Sequence, residues 1–138
     1  MIDKILTAMK EQGYRVTKIR RAMLEILETE AKPLSAFDLV RKLAQKKLYP
    51  NKTTVYRELE ALSLAGLVKE IQLGTRSRMY ESTSLGHHHH LVCTKCESIE
   101  DISMGNDMMV CEKNITKKTS FKVLDHSLEF FGLCGSCK

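Results

Sequence analysis

The sequence predicts an α+β fold in two parts, and three observations carry that expectation. Helical apolar periodicity with recognisable caps fills the chain as far as Gly66. Two short strand-like segments then flank Gly74, and the remainder, which contains two C-x-x-C pairs, holds every histidine and cysteine. Periodicity near 3.6 marks amphipathic helices, and short apolar runs bounded by turn residues mark strands.

The first predicted helix covers residues 2–12 and stops at Gly13, because glycine tolerates the left-handed conformation that follows a helix end. Thr17 caps a second helix whose stripe is Ile19, Met23, Ile26 and Leu27. A third begins at Ser35, after Pro33, and is expected to bury Phe37, Val40, Leu43 and Ala44. The fourth, from Pro50-Asn51 onward, turns Val55, Leu59 and Leu62 inward and leaves Thr53, Tyr56 and Arg57 outside. Val68–Leu73 and Arg78–Glu81 are then predicted as two strands joined around Gly74-Thr75.

In the remainder, His87-His88-His89-His90 runs into the apolar strand pattern of Leu91-Val92-Cys93. If extended, it points His88 and His90 to one side and His87 and His89 to the other, so a single tetrad can feed two metal sites. A solvated histidine loop is the alternative. Ser98–Ile102, Phe121–Leu124 and Leu128–Phe131 are expected as strands, and Met108, Cys111 and Ile115 as one face of a helix. Cys111 is expected in the core, with a reactive thiol as the alternative.

Charge and composition narrow the function. Of the net +5, residues 1–86 hold 16 Lys/Arg against 10 Asp/Glu and residues 87–138 hold 6 against 7. A basic helical front followed by a basic wing suits a nucleic-acid backbone, and helix, helix, reading helix and wing is an established way into a major groove. On the fourth helix, Arg57 can donate twice to a guanine edge, Tyr56 can pack on a thymine methyl, and Lys52, Thr53 and Thr54 can hold phosphates. An ordinary surface face on an amphipathic helix remains the competing reading.

Cys93-x-x-Cys96 and Cys134-x-x-Cys137 offer four thiolates, a closed tetrahedral set for zinc. The 37 residues between the pairs exceed the roughly 15–20 of a zinc ribbon, so this zinc would tie the chain end to the beginning of its domain. A redox C-x-x-C would explain one pair and not both. No H-E-x-x-H helix occurs, and four cysteines leave no position for water, which argues against a zinc hydrolase. No apolar run spans a membrane and the start lacks a secretory pattern, so a cytoplasmic protein without membrane association is expected.

Taken in order, Gly13-Tyr14-Arg15-Val16-Thr17 with Arg20, Leu34-Ser35-Ala36, Thr53-Thr54-Val55-Tyr56-Arg57, Met79-Tyr80-Glu81, the histidine run into Cys93-x-x-Cys96 and Phe131-Gly132-Leu133-Cys134 span nearly the whole chain. In these marks the sequence resembles the ferric-uptake-regulator family of bacterial metal-responsive repressors, which includes iron, zinc, manganese and peroxide sensors. The resemblance implies a winged-helix DNA-binding domain at 1–82, a hinge at 83–86 and a small α/β dimerisation domain at 87–138. It implies a homodimer on an AT-rich inverted repeat of double-stranded DNA near metal-uptake genes, bound when the regulatory metal is present.

Matched residue by residue, the resemblance has Tyr56 and Arg57 contact bases and Arg15 enter a minor groove. Cys93, Cys96, Cys134 and Cys137 would hold structural Zn²⁺. Glu81, His88, His90 and Asp101 would form a regulatory hinge site, and His87, His89 and His126 a second site. Where many members carry a histidine before the third helix, this chain has Lys32-Pro33, which leaves a four-ligand hinge that suits Zn²⁺ by number, with Fe²⁺ or Mn²⁺ as alternatives. The second site's usual acid falls near Met108 and Met109, for which Asp107 or Glu112 would substitute. An oxidant sensor on the same scaffold and a constitutive DNA binder with structural zinc only are the rival readings.

Overall fold

The computed structural model describes residues 1–74 and 77–138, in two compact units, Met1–Gly86 and His87–Lys138. Thr75, predicted in the turn of the wing, lies outside the described residues.

The first unit contains helices α1 (Ile2–Glu11), α2 (Lys18–Glu30), α3 (Ala36–Gln45) and α4 (Lys52–Leu64), with strands β1 (Leu34–Ser35), β2 (Val68–Ile71) and β3 (Met79–Ser82). Each of the last three helices has a side-chain cap. The Arg20 N–H donates to Thr17 Oγ1, the Asp38 N–H to Ser35 Oγ in a reciprocal capping box, and the Thr54 N–H to Asn51 Oδ1. These bonds satisfy donors that the first turn of a helix leaves open. The core is continuous through Met23, Leu27, Leu39, Leu43, Val55, Leu59 and Leu62.

One predicted stripe is displaced. In α3 the buried positions are Ala36, Leu39 and Leu43, whereas Phe37 is exposed beneath the Arg41 guanidinium and Val40 and Ala44 are half-buried. Both sets obey helical spacing, one residue apart, and the packing of α3 against its neighbours, not its own period, decides which is buried. A two-residue strand that the sequence did not signal, β1, pairs antiparallel with β3, giving the order β1-β3-β2. β2 ends two residues earlier than predicted, although Leu73 stays buried beyond it, and β3 keeps the predicted length but starts and ends one residue later.

After β3, the 3₁₀ turn Thr83–Leu85 is fastened to this unit. Ser82 and Ser84 donate to Glu28 of α2 at 2.5 and 2.6 Å, and Thr83 Oγ1 donates to the Gly66 carbonyl at 2.8 Å. Gly86 follows with φ 74° and ψ −173°, a conformation that essentially only glycine adopts.

The second unit is a three-stranded sheet, β5-β4-β6, with one helix. β4 (His89–Cys93) pairs antiparallel with β5 (Ile99–Ile102) and parallel with β6 (Glu129–Gly132), while α5 runs Asp107–Thr119. Two expectations fail here. Phe121–Leu124 forms no strand, and Cys111 is exposed on α5, a helix that buries none of its residues in the single chain. A strand needs a neighbour to satisfy its ladder, and a stripe needs a surface to cover it. Within one copy neither is present.

Candidate metal centres and nucleic-acid interface

The parallel pairing of β4 with β6 sets Cys93 opposite Gly132, and the Thr94 N–H donates to the Gly132 carbonyl at 2.8 Å. Two turns then follow from adjacent strand ends, one carrying Cys96 and the other Cys134 and Cys137. One sulfur from each of the four cysteines lies within 4.8 Å of the others, and Cys96 Sγ is 3.7 Å from Cys134 Sγ. Thiolates bound tetrahedrally to one zinc at about 2.3 Å would stand about 3.8 Å apart.

Backbone N–H groups of Cys96 and Cys134 point at Cys93 Sγ from 3.5 and 3.4 Å and hold that thiol down at about 6. The Ser98 hydroxyl beside Cys96 lowers it as well, whereas half-buried Cys137, crowded by Cys134 and the other thiols, is pushed up to about 12. A spread of this kind is what several thiols in one small volume produce, since each anion opposes the next. A divalent cation removes the conflict, so the donor set fits Zn²⁺.

Alternation along the extended chain divides the histidines as expected. On one side, His87 Nε2 lies 3.0 Å from His126 Nε2, with His89 ring contacts to both at centroid distances of 4.9 and 5.1 Å. His89 is buried, and burial together with its two imidazole neighbours lowers its pKa. On the other side, His88 Nε2 lies 3.2 Å from His90 Nε2, and Asp101 Oδ1 stands 3.9 and 3.8 Å from them. Asp101 reaches them because it sits opposite His90 in the β4–β5 register. Two nitrogens on one tetrahedral zinc at about 2.0–2.1 Å would be about 3.3 Å apart, close to both imidazole pairs. Glu81, in the first unit, is buried on β3 opposite Lys69.

On α4, Val55, Leu59 and Leu62 are buried, while Lys52, Thr53, Tyr56 and Arg57 are exposed and Thr54 half-buried. Arg15 is also exposed. Its main chain is tied to this helix through Arg20, whose guanidinium donates to Glu58 Oε2 at 2.6 Å and to the Arg15 carbonyl at 2.5 Å. Three basic side chains, an aromatic ring and two hydroxyls thus stand on one well-anchored element and the segment bound to it. That inventory suits phosphates and base edges.

The model of the ferric uptake regulator family matches residues 11–131. The chain belongs to that family. It is a metal-responsive DNA-binding transcription regulator. The ferric uptake regulation protein of Bacillus subtilis is 33% identical over 99% of this chain and 93% of its own, and that organism's peroxide operon regulator is 34% identical over 99% and 92%. The crystal structure of the Vibrio cholerae ferric uptake regulator superposes with a TM-score of 0.80 at 31% identity, covering 93% of this chain and 98% of that one. Identity this even between the two Bacillus relatives does not choose iron over peroxide sensing.

The structure also shows two contacts that the sequence did not predict. Arg20 and Glu58 form a nearly buried pair, and the available signal was a lone arginine on the inward face of α2 near Met23, Leu24 and Leu27. A charge on such a face requires a partner. Glu112 accepts from His126 Nδ1 at 2.6 Å, a contact that no sequence spacing marks. Among the described helices, none is long and apolar enough to cross a membrane.

Proposed function

We propose that this regulator is a cytoplasmic repressor that binds an AT-rich inverted repeat as a homodimer when a divalent metal links Glu81 to His88, His90 and Asp101. The observation that carries this reading is the division of imidazoles along His87–His90, the segment that leads into β4. It leaves one pair, His88 and His90, with the Asp101 carboxylate beside it just after the Gly86 junction. Ligands drawn from both sides of a junction restrict the motion across it. Two reading helices held at the spacing of two half-sites bind DNA without the ordering cost that mobile ones incur. By linkage, DNA must tighten metal binding by the factor through which metal tightens DNA binding.

Zn²⁺ on the four cysteines would be structural, and Zn²⁺, Fe²⁺ or Mn²⁺ at the hinge regulatory. The second copy would cover the apolar side chains that the second unit leaves exposed, including Val110, Phe121, Leu124, Phe130 and Phe131. Tyr56 and Arg57 would contact bases, Lys52, Thr53 and Thr54 phosphates, and Arg15 the minor groove.

The test is operator binding by the zinc-stapled dimer under anaerobic titration with each metal. One metal should tighten binding by roughly 5–150-fold. Equal affinity in metal and in chelator, with the staple intact, would overturn the gate and leave a constitutive binder. Arg57→Ala should lower operator binding by about 1–3 kcal/mol relative to random DNA, as loss of a bidentate guanine contact does. An equal loss on both DNAs would make Arg57 a phosphate contact.

The near-equal identity to a peroxide operon regulator supports a second reading, oxidant sensing through hinge-bound iron. Its signature would be peroxide-triggered loss of DNA binding with an oxidised hinge histidine. Retention of binding in peroxide by the iron-loaded protein would dismiss it.

A further inference from the structure

We propose that Glu112 is not a metal ligand but the residue that aims His126, so that His87, His89 and His126 form a neutral three-nitrogen site with an open fourth position. This deepens the proposed reading of those histidines as a metal site and rests on it. Among the described residues, the cluster that gathers ligand atoms here contains three imidazoles and no carboxylate.

The carboxylate nearest to it engages the wrong nitrogen to be a ligand. Glu112 Oε1 is 2.6 Å from His126 Nδ1, while the opposite nitrogen, Nε2, faces His87 Nε2 at 3.0 Å. A carboxylate offers only acceptors, so Nδ1 carries the hydrogen and the Nε2 lone pair points into the cluster. His89, the buried member of the three, is flanked by the rings of both His87 and His126. The outer nitrogen of His126 is therefore fixed by a carboxylate, the arrangement that orients a histidine around a metal and makes it a better donor.

The helix that brings Glu112 explains the missing acid. One turn earlier α5 presents Met108, half-buried, and Met109, exposed. No carboxylate stands there, and Glu112, a turn farther along, meets His126 from behind. Three neutral imidazoles carry no charge to hold a hard cation. They suit Zn²⁺, Co²⁺ or Cu²⁺ and disfavour Mn²⁺, which prefers carboxylates. A fourth position open to water also admits a small anion or free imidazole.

The experiment uses full-length dimer with zinc on the four cysteines and with the hinge disabled by His88→Ala and His90→Ala. Co²⁺ is the probe, read by its visible absorption and by competition with a chelator. Co²⁺ should bind one per chain, Mn²⁺ should fail to displace it, and added azide should alter the spectrum. Glu112→Gln retains an acceptor oxygen for His126 Nδ1, so it should keep the parent spectrum and an affinity within a few fold. Glu112→Ala should weaken Co²⁺ by about 10–100-fold, the usual effect of losing such a support. A Glu112→Gln spectrum that loses an oxygen ligand would make Glu112 a ligand and overturn the proposal, as would unchanged affinity in Glu112→Ala. If His126→Ala binds Co²⁺ as well as its parent, the site reading itself fails, a result distinct from both.

Discussion

Cys96→Ser is expected to empty the four-cysteine site and unfold the second unit while the first remains folded. Within His87–Lys138 the buried side chains are His89, His90, Val92 and Cys93, and α5 buries none. A unit of about fifty residues seldom holds itself without a staple even with a fuller core. In small zinc domains, metal binding contributes about 10–16 kcal/mol of apparent folding free energy at neutral pH. Serine keeps the shape of Cys96 and removes only the soft anion, so packing loss does not confuse the outcome. Zinc content should fall, the dimer should dissociate in native mass spectrometry, and one cooperative urea transition should remain from the Met23–Leu62 core of the first unit. A variant with its zinc and its dimer mass intact would remove the four-thiolate assignment.

How far the sequence carried is decided by where the specifying physics is local. Thr17 and Ser35 announced helix starts because a cap is read within four residues. The alternation of His87 to His90 was legible because strand side chains alternate whatever lies around them. Phe37 was misplaced because Phe37, Val40 and Ala44 fit the same period as Ala36, Leu39 and Leu43, and only the neighbours of a helix select between two stripes. Phe121–Leu124 and Cys111 were misjudged for another reason: they carry apolar or strand character whose partner one chain does not contain. Asp101 joined His88 and His90 through cross-strand register, and Glu112 met His126 across 14 residues. Pairings of that kind leave no mark in spacing.

The same reasoning applies most sharply to Arg20. Its side chain is 9% exposed and that of Glu58 is 15% exposed, so removing either partner leaves a charge in a site that water barely reaches. Breaking a buried pair in this way costs about 3–5 kcal/mol, a large share of the roughly 5–15 kcal/mol that holds a typical domain together. Glu58→Ala and Arg20→Ala should each lower the urea midpoint of the first unit by a corresponding amount. The double variant Arg20→Met with Glu58→Leu should recover most of that loss, because apolar side chains of similar volume avoid the desolvation of two ions. Recovery of stability should not restore DNA binding, since methionine cannot donate to the Arg15 carbonyl that Arg20 holds at 2.5 Å. Operator affinity in the refolded double variant should therefore remain below wild type. If both singles unfold at the wild-type midpoint, the pair contributes nothing to the fold. If the double variant binds operator as tightly as wild type, Arg15 needs no anchor to the reading helix, and the charge pair is retained for stability alone.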